Sequence, residues 1–186
     1  YEAEVFLKYE EETPKYKLII DGRADGVITM QKPQLVINTN LDTPAVISPF
    51  IVQEQVTIDE IKGTYRDLEK IRKPEPVHLA QAKVYAYIYG KKKKLENICV
   101  RMTYCNMNTE KLKYFIEEYT LAELEEWFMG LVAGYKKWAQ FQIDWREKRQ
   151  KSIKRLSFPY MYRKGQKELA ASVYRTIYHK RKLFLE

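Results

Sequence analysis

Histidine and cysteine are the scarcest reactive residues in this 186-residue chain, with two of each. His78 and His179 alone remove most zinc centres and histidine-nucleophile chemistries from consideration. Cys99 and Cys105 are too few for a disulfide scaffold or a four-thiolate cluster. They stand an even step apart in an apolar, strand-like run, so both are expected on one side of a strand, as buried thiols in a reducing compartment. No apolar run reaches the roughly 18 residues that span a membrane, and no basic start with an apolar core marks a secretory leader. The first residue is Tyr1, not Met, so a fragment of a longer protein is expected.

What is present suits a folded protein: 45% of residues are hydrophobic and 31% charged, which is not the balance of a disordered chain. The length suits one domain of ordinary size, or one with an appendage. The net charge of +8 has the sign of a nucleic-acid binder, but it is unevenly placed. From Arg146 onward there are 13 Lys and Arg against 3 acids, whereas the residues before it carry 20 basic and 22 acidic groups. The basicity belongs to the C-terminal tail. Any DNA binding by the rest of the chain must come from local patches and metal ions.

Strands are expected at Tyr1 to Tyr9, at Tyr16 to Asp21 and Ala24 to Met30 on either side of Gly22, and at Gln55 to Lys62, stopped by Gly63. The intervening Gln31 to Glu54, with three prolines, reads as a long connection with room for a minor hairpin. Pro74 and Pro76 precede a helix from about Val77 to Tyr89. The four lysines Lys91 to Lys94 suit its solvated C-terminus, where cations oppose the helix dipole. Asn97 to Met107 and Lys111 to Tyr119 read as an antiparallel pair turning at Asn108-Thr109. Thr120-Leu-Ala-Glu123 is a capping box that opens a long helix with an apolar stripe at Leu124, Phe128, Leu131, Tyr135 and Trp138. That helix continues into the basic run Arg146 to Arg155, and a last helix follows from about Gly165 to His179. This order predicts an α/β fold, a mixed central sheet flanked by helices, with a long C-terminal helix and a basic helical tail.

Two strands hold the chemically informative residues, Gly22-Arg23-Ala24-Asp25-Gly26 and Ile58-Asp59-Glu60-Ile61-Lys62. Alternation puts Glu60 and Lys62 on one face, and Asp25 joins them if the strands pair. Two adjacent carboxylates repel, and a divalent cation relieves that repulsion. Mg²⁺ favours such hard oxygen donors alongside water and phosphate. A metal so held lowers the pKa of water and neutralises charge building on phosphorus. Lys62 beside it would orient the attacking water or stabilise the transition state as a point charge. As a bare pattern E-x-K has almost no specificity, and solvated strand faces carry it often. Gln81 and Tyr85, at i and i+4, share a helix face. Arg23 contacts a phosphate or pairs with an acid, and the residues do not choose.

G-R-A-D-G, then T-I-D-E-I-K-G-T, then Q-A-K-V-Y in the following helix resembles the RecB-like branch of the PD-(D/E)XK nucleases. The resemblance covers roughly residues 1–156, through three short windows, and implies a restriction-endonuclease-like fold. It implies Asp25, Glu60 and the backbone carbonyl of Ile61 as ligands of Mg²⁺ or Mn²⁺, Lys62 as the catalytic lysine, and Gln81 and Tyr85 as the helix motif that touches DNA. The family has a helix before the first strand, often supplying a His or Glu to the site; this chain starts too late for one, and no pattern assigns that role to Glu2 or Glu4. Several relatives carry an iron–sulfur cluster on four cysteines, a ligand set that two cysteines do not supply.

The tail has a resemblance of its own. Phe158-Pro159-Tyr160, then Arg163-Lys-Gly-Gln166, then Lys182-Leu-Phe-Leu-Glu186 looks like the start of an XPD/DinG-type DNA helicase over residues 157–186. It implies Tyr160, Arg163 and Gln166 as nucleotide contacts. No G-x-x-x-x-G-K-[ST] follows, so ATP hydrolysis is not expected of this fragment. A basic amphipathic helix with solvated charges is the plainer alternative. The expectation is therefore a metal-dependent deoxyribonuclease domain whose partners are DNA and a helicase domain of the same parent chain, in the cytoplasm at the nucleoid. A non-catalytic DNA clamp and an RNA nuclease are the alternatives.

Overall fold

The structure, a computed structural model, describes residues 1–34 and 51–184. In chain order the elements are β1 (Glu2–Glu12), β2 (Lys17–Gln34), β3 (Ile51–Thr64), α1 (Pro76–Lys93), β4 (Asn97–Asn106), β5 (Leu112–Thr120), α2 (Leu121–Ile153) and α3 (Gln166–Tyr178). A 3-10 turn at Leu68–Lys70 lies between β3 and α1. The strands form one five-stranded mixed sheet in sequential order, antiparallel except for the parallel pair β3–β4. Parallel neighbours need a crossover, and α1 supplies it. The α/β fold expected from the order of elements is present, long helix included.

Backbone contacts divide the chain into Tyr1–Tyr135 and Lys136–Glu186. In the first unit α1 packs on the sheet. Ala82 and Ala86 on the helix meet a core that includes Leu7, Leu18, Val27, Ile58, Val100 and Met102. Small residues on α1 let the backbone approach the strands closely. The first turns of α2 close this core with Leu124, Phe128 and Val132. The Phe128 ring stacks on Tyr87 at 4.4 Å and meets the Tyr9 edge at 5.0 Å.

Two expectations are corrected. Gln31 to Glu54 is in part a β ladder, because β2 runs to Gln34 and pairs with β3 from Gln34↔Ile51 onward; residues 35–50 lie outside the described residues. Pro33 is tolerated because β1 pairs with β2 only as far as Val27, so the proline interrupts no second ladder. The apolar stripe of α2 drifts as well. Val132, not Leu131, continues from Leu124 and Phe128, while Leu131 and Tyr135 stand at the rim beside Leu18, Ile19 and Ile20. A straight helix has 3.6 residues per turn, and two steps of four keep the buried face over the core for just over two turns. Trp138 falls in the second unit, half-exposed.

Other expectations hold. α1 extends one turn beyond Tyr89, with Lys91, Lys92 and Lys93 in its last turn and Lys94 as a left-handed cap at φ 56°. The capping box is made: the Glu123 N–H donates to Thr120 Oγ1 at 3.2 Å, and the Thr120 N–H donates to Glu123 Oε2 at 2.9 Å. Cys99 is buried and accepts a hydrogen bond from the Gln55 amide at 3.0 Å; Cys105 is only half-buried, so the expectation of two buried thiols is met by one of them. In the second unit α3 starts at Gly165, whose φ of 80° suits glycine.

Candidate active site

The β2–β3 ladder ends at Gly26↔Asp59. The strands part there, and the next β3 amide in that direction is not met by a β2 carbonyl. The Ile61 N–H instead donates to Asp25 Oδ2 at 2.6 Å. The regular alternation of β2 also breaks at this point. Gly22 faces Tyr85 on α1 and Ala24 is buried, yet the next fully buried apolar side chain is Val27, three residues on. The β1–β2 register stays one-to-one across it, with Ala3↔Gly26 and Val5↔Ala24, so the change of face at Asp25-Gly26 comes without an inserted residue. Glu4, between the Ala3↔Gly26 and Val5↔Ala24 pairs on β1, takes a left-handed φ of 53° at the same level.

On β3, Glu60 and Lys62 share the face toward α1, as alternation requires. The Lys62 ammonium donates to Glu60 Oε1 at 2.6 Å and to Gln81 Oε1 at 3.2 Å. The Gln81 amide in turn donates to the Tyr85 hydroxyl at 3.3 Å. Gln81 accepts from the lysine with its oxygen and donates to the tyrosine with its nitrogen, so one amide links the strand lysine to the helix tyrosine. Tyr85 itself lies against Gly22: a Cβ there would stand 2.3 Å from its hydroxyl. Asp25, Glu60, Ile61, Lys62, Gln81 and Tyr85 are thus brought together. Arg23 is exposed opposite Phe6 and forms no ion pair among the described residues; alternation from Gly22 turns it away from α1.

Glu60 is the electrostatic centre. It is 1% exposed, and its Oε2 has no hydrogen-bond partner. Burial pushes its carboxyl above the usual carboxylate range; the Lys62 hydrogen bond opposes that shift and the Asp25 charge adds to it. A buried acceptor left unmatched is costly, and in a native fold it calls for a partner. The donors here are carboxylate oxygens, which fit Mg²⁺ or Mn²⁺. Among the described residues no group of three or more His, Cys, Asp or Glu converges to hold a metal. The two carboxylates would therefore leave further positions to a backbone oxygen, water and phosphate, which is the coordination habit of Mg²⁺.

Asp59, adjacent to Glu60, is not interchangeable with it. It projects from the opposite face and is saturated: Arg101 donates through Nε at 2.9 Å and through Nη2 at 2.6 Å, and Thr103 Oγ1 donates at 2.6 Å. The structure distinguishes the acid with a free oxygen from the acid without one. The Tyr1 hydroxyl lies near this cluster, over Gly26, and burial followed by the Asp59 charge raises its pKa. Sequence reasoning missed Asp59, Arg101, Thr103 and Tyr1. Asp59 meets Arg101 and Thr103 through the β3–β4 register, and Tyr1 meets Gly26 across β1 and β2, both tertiary facts. His78 has a structural partner, its Nδ1 lying 3.1 Å from the Tyr104 hydroxyl.

The centre lies on the middle strand of the sheet. A cleft of about 350 Å³ lined by Glu54, Gln55 and Lys94 to Cys99 sits at the other end of β4. In the second unit Phe158 stacks on Tyr162 at 4.7 Å, and Tyr160 is solvent-exposed. Gln166 turns its side chain inward, accepting the Arg163 N–H at 3.0 Å. Among the described residues no helix is long and apolar enough to cross a membrane.

An α/β domain with a paired-carboxylate and lysine centre on its sheet is what the fold and site define. No protein-family model matches the chain, and no curated protein matches it. Among solved structures it is similar to the one titled "Crystal structure of SSO0001", at 18% identity and a TM-score of 0.33. That match covers 70% of this chain and 50% of the other, so the chain spans half the length of that neighbour.

Proposed function

We propose that the chain carries a Mg²⁺- or Mn²⁺-dependent deoxyribonuclease domain that acts in its parent protein with a fused helicase in DNA processing. The observation that carries the reading is the hydrogen-bonded chain Glu60–Lys62–Gln81–Tyr85 beside Asp25, with one buried Glu60 oxygen unmatched. A divalent metal on Asp25 and Glu60, with the Ile61 carbonyl as a third donor, would acidify water and draw charge off the phosphate oxygens. Lys62 holds its ammonium beside Glu60, where it orients the attacking water and meets the negative charge that grows on phosphorus. Gln81 keeps that ammonium from swinging to solvent, and Tyr85 fixes Gln81. The water oxygen would bond to phosphorus and release its proton to solvent, the bridging P–O bond would break, and the leaving oxygen would take a proton from solvent, with no covalent enzyme intermediate. Arg23, exposed on the face of β2 turned away from α1, would meet a DNA phosphate outside this centre. Tyr160, Arg163 and Gln166 are assigned to the nucleotide contacts of the helicase portion.

The deciding experiment is Mn²⁺-dependent cleavage of labelled single- and double-stranded DNA by this chain and by Lys62→Ala. Metal-dependent cutting that is lost in the variant is the expected result. DNA binding without cutting, in this chain and in one extended at its N-terminus, overturns the reading in favour of a clamp. Thermal unfolding gives an answer independent of turnover. Mn²⁺ should raise the Tm of the wild type and leave that of Asp25→Asn/Glu60→Gln unchanged.

A further inference from the structure

The carboxyl ends of the parallel pair β3–β4 open onto a second cleft, of about 530 Å³. One wall is Tyr65, the first residue past β3; the other is the β4–β5 turn with Asn108, Thr109 and Lys111. The turn is tightly built. Asn106 Oδ1 accepts the N–H groups of Asn108 and Thr109 at 3.0 Å each, and Glu110 takes a left-handed φ of 57°. The turn is tied to β3, because the Met107 N–H donates to the Thr64 carbonyl at 2.9 Å. Crevices outside the carboxyl ends of parallel strands are where open α/β sheets bind ligands.

The chemistry of the lining is not that of a phosphate site. Asp67 and Glu69 stand against Lys111 and Lys113 in the lining, so the cleft has no excess of positive charge to hold an anion. An aromatic ring that is 75% exposed, facing amides and a hydroxyl, suits a flat, neutral, hydrogen-bonding group. The position matters too. Tyr65 follows Lys62 by three residues, roughly 10 Å at the rise of a strand.

We propose that this cleft seats an unpaired nucleobase of the strand whose phosphate lies at the Glu60–Lys62 centre, with Tyr65 as its stacking face. The proposal rests on the nuclease reading and deepens it, since it makes single-stranded nucleic acid the substrate class. Bases in a duplex keep their faces stacked on neighbours and do not enter such a cleft without unpairing. Asn108, Thr109 and Lys111 then meet the edge of the base, and a ring that reads only the π-face tolerates any sequence.

The test is fluorescence anisotropy with a labelled oligothymidylate and with a duplex, on the full chain without divalent metal, at about 200 mM salt to weaken the sequence-independent contacts of the basic tail. Tyr65→Ala should weaken single-strand binding about tenfold and leave duplex binding unchanged, while Tyr65→Phe keeps wild-type affinity. One abasic nucleotide scanned along the oligonucleotide should weaken wild-type binding at one position and leave Tyr65→Ala unaffected there. Unchanged single-strand affinity in Tyr65→Ala, an equal loss on duplex, or no single-strand binding by the wild type overturns the proposal. Lys62-dependent cleavage with no effect of Tyr65→Ala would refute the base seat alone. Tyr65-dependent binding by a chain that never cuts would refute the nuclease reading and keep the seat. Tyr65 is exposed, so its variants should fold normally, with circular dichroism as the check.

Discussion

Gly22 owes its identity to Tyr85. A methyl group there would meet the tyrosine ring at 3.0 Å and its hydroxyl at 2.3 Å, so the ring must move. Because Tyr85 is buried beneath β2, Gly22→Ala should cost about 1–3 kcal/mol of stability and reduce cleavage by more than that loss explains, through the Gln81–Tyr85 bond. Adding Tyr85→Phe removes the worst contact and should recover part of the stability without restoring cleavage, a pattern that a double-mutant cycle reads directly. On the opposite face, Arg101→Met leaves Asp59 buried beneath the sheet surface with only Thr103 as donor. A loss of about 3 kcal/mol in urea unfolding is expected, larger than for the double change Asp59→Leu/Arg101→Met, which removes both charges. If the single and double variants are equally stable, the pair is not a buried one in energetic terms.

The elements place the site as much as the residues do. A parallel β3–β4 pair cannot be joined by a tight turn, so α1 must cross the sheet, and that crossing lays Gln81 over Lys62. The separation of β2 and β3 beyond Gly26↔Asp59 gives Asp25 its acceptor role at the Ile61 amide. The junction of β5 and α2 is held by Thr120, which ends the strand and caps the helix. Thr120→Ala should cost about 1 kcal/mol, measured by denaturant unfolding. The Glu123 half of the box is pH-dependent. Hydrogen bonds from the Thr120 backbone and hydroxyl hold its carboxyl below the usual range, so its contribution is full above the unfolded carboxylate value of 4.5 and fades as pH falls through the lower folded value. The stability gap between wild type and Glu123→Gln should therefore be open at neutral pH and closed in acid. A gap that persists in acid would assign the effect to side-chain packing instead.

Over the whole chain the charge is split between the two units. The unit Tyr1–Tyr135 carries 18 Lys and Arg against 21 acids, and residues 136–186 carry 15 against 4. A polyanion bound at the active centre would be held there by metal and a few cations, while long-range attraction comes from the second unit. Replacing Lys148, Arg149, Lys151, Lys154 and Arg155 by Gln should flatten the dependence of log Kd on log salt, by about 0.7 for each single-strand phosphate that these cations neutralise in the wild type. Anisotropy across a salt series measures that slope, and an unchanged slope would mean that this run of α2 does not touch the backbone.

Much of this was legible from residue order alone. Local chemistry marks the capping box at Thr120–Glu123, the strand triplet Glu60–Lys62 with its stop at Gly63, and Gln81–Tyr85 at one helical turn. Each depends on neighbours within four positions, and backbone periodicity reports such spacing faithfully. The order of elements likewise sufficed for a mixed sheet with flanking helices. Register, however, is a relation between distant segments. That β2 continues through Pro33 depends on its having one unpaired edge, and no local propensity carries that information. The selection of Glu60 over Asp59 as the acid with an unmatched oxygen is of the same kind, since Arg101 and Thr103 lie more than forty positions away and meet Asp59 only when β4 aligns beside β3. Chain order places carboxylates and a lysine close together; the pairing of strands decides which of them are neutralised and which are left to bind.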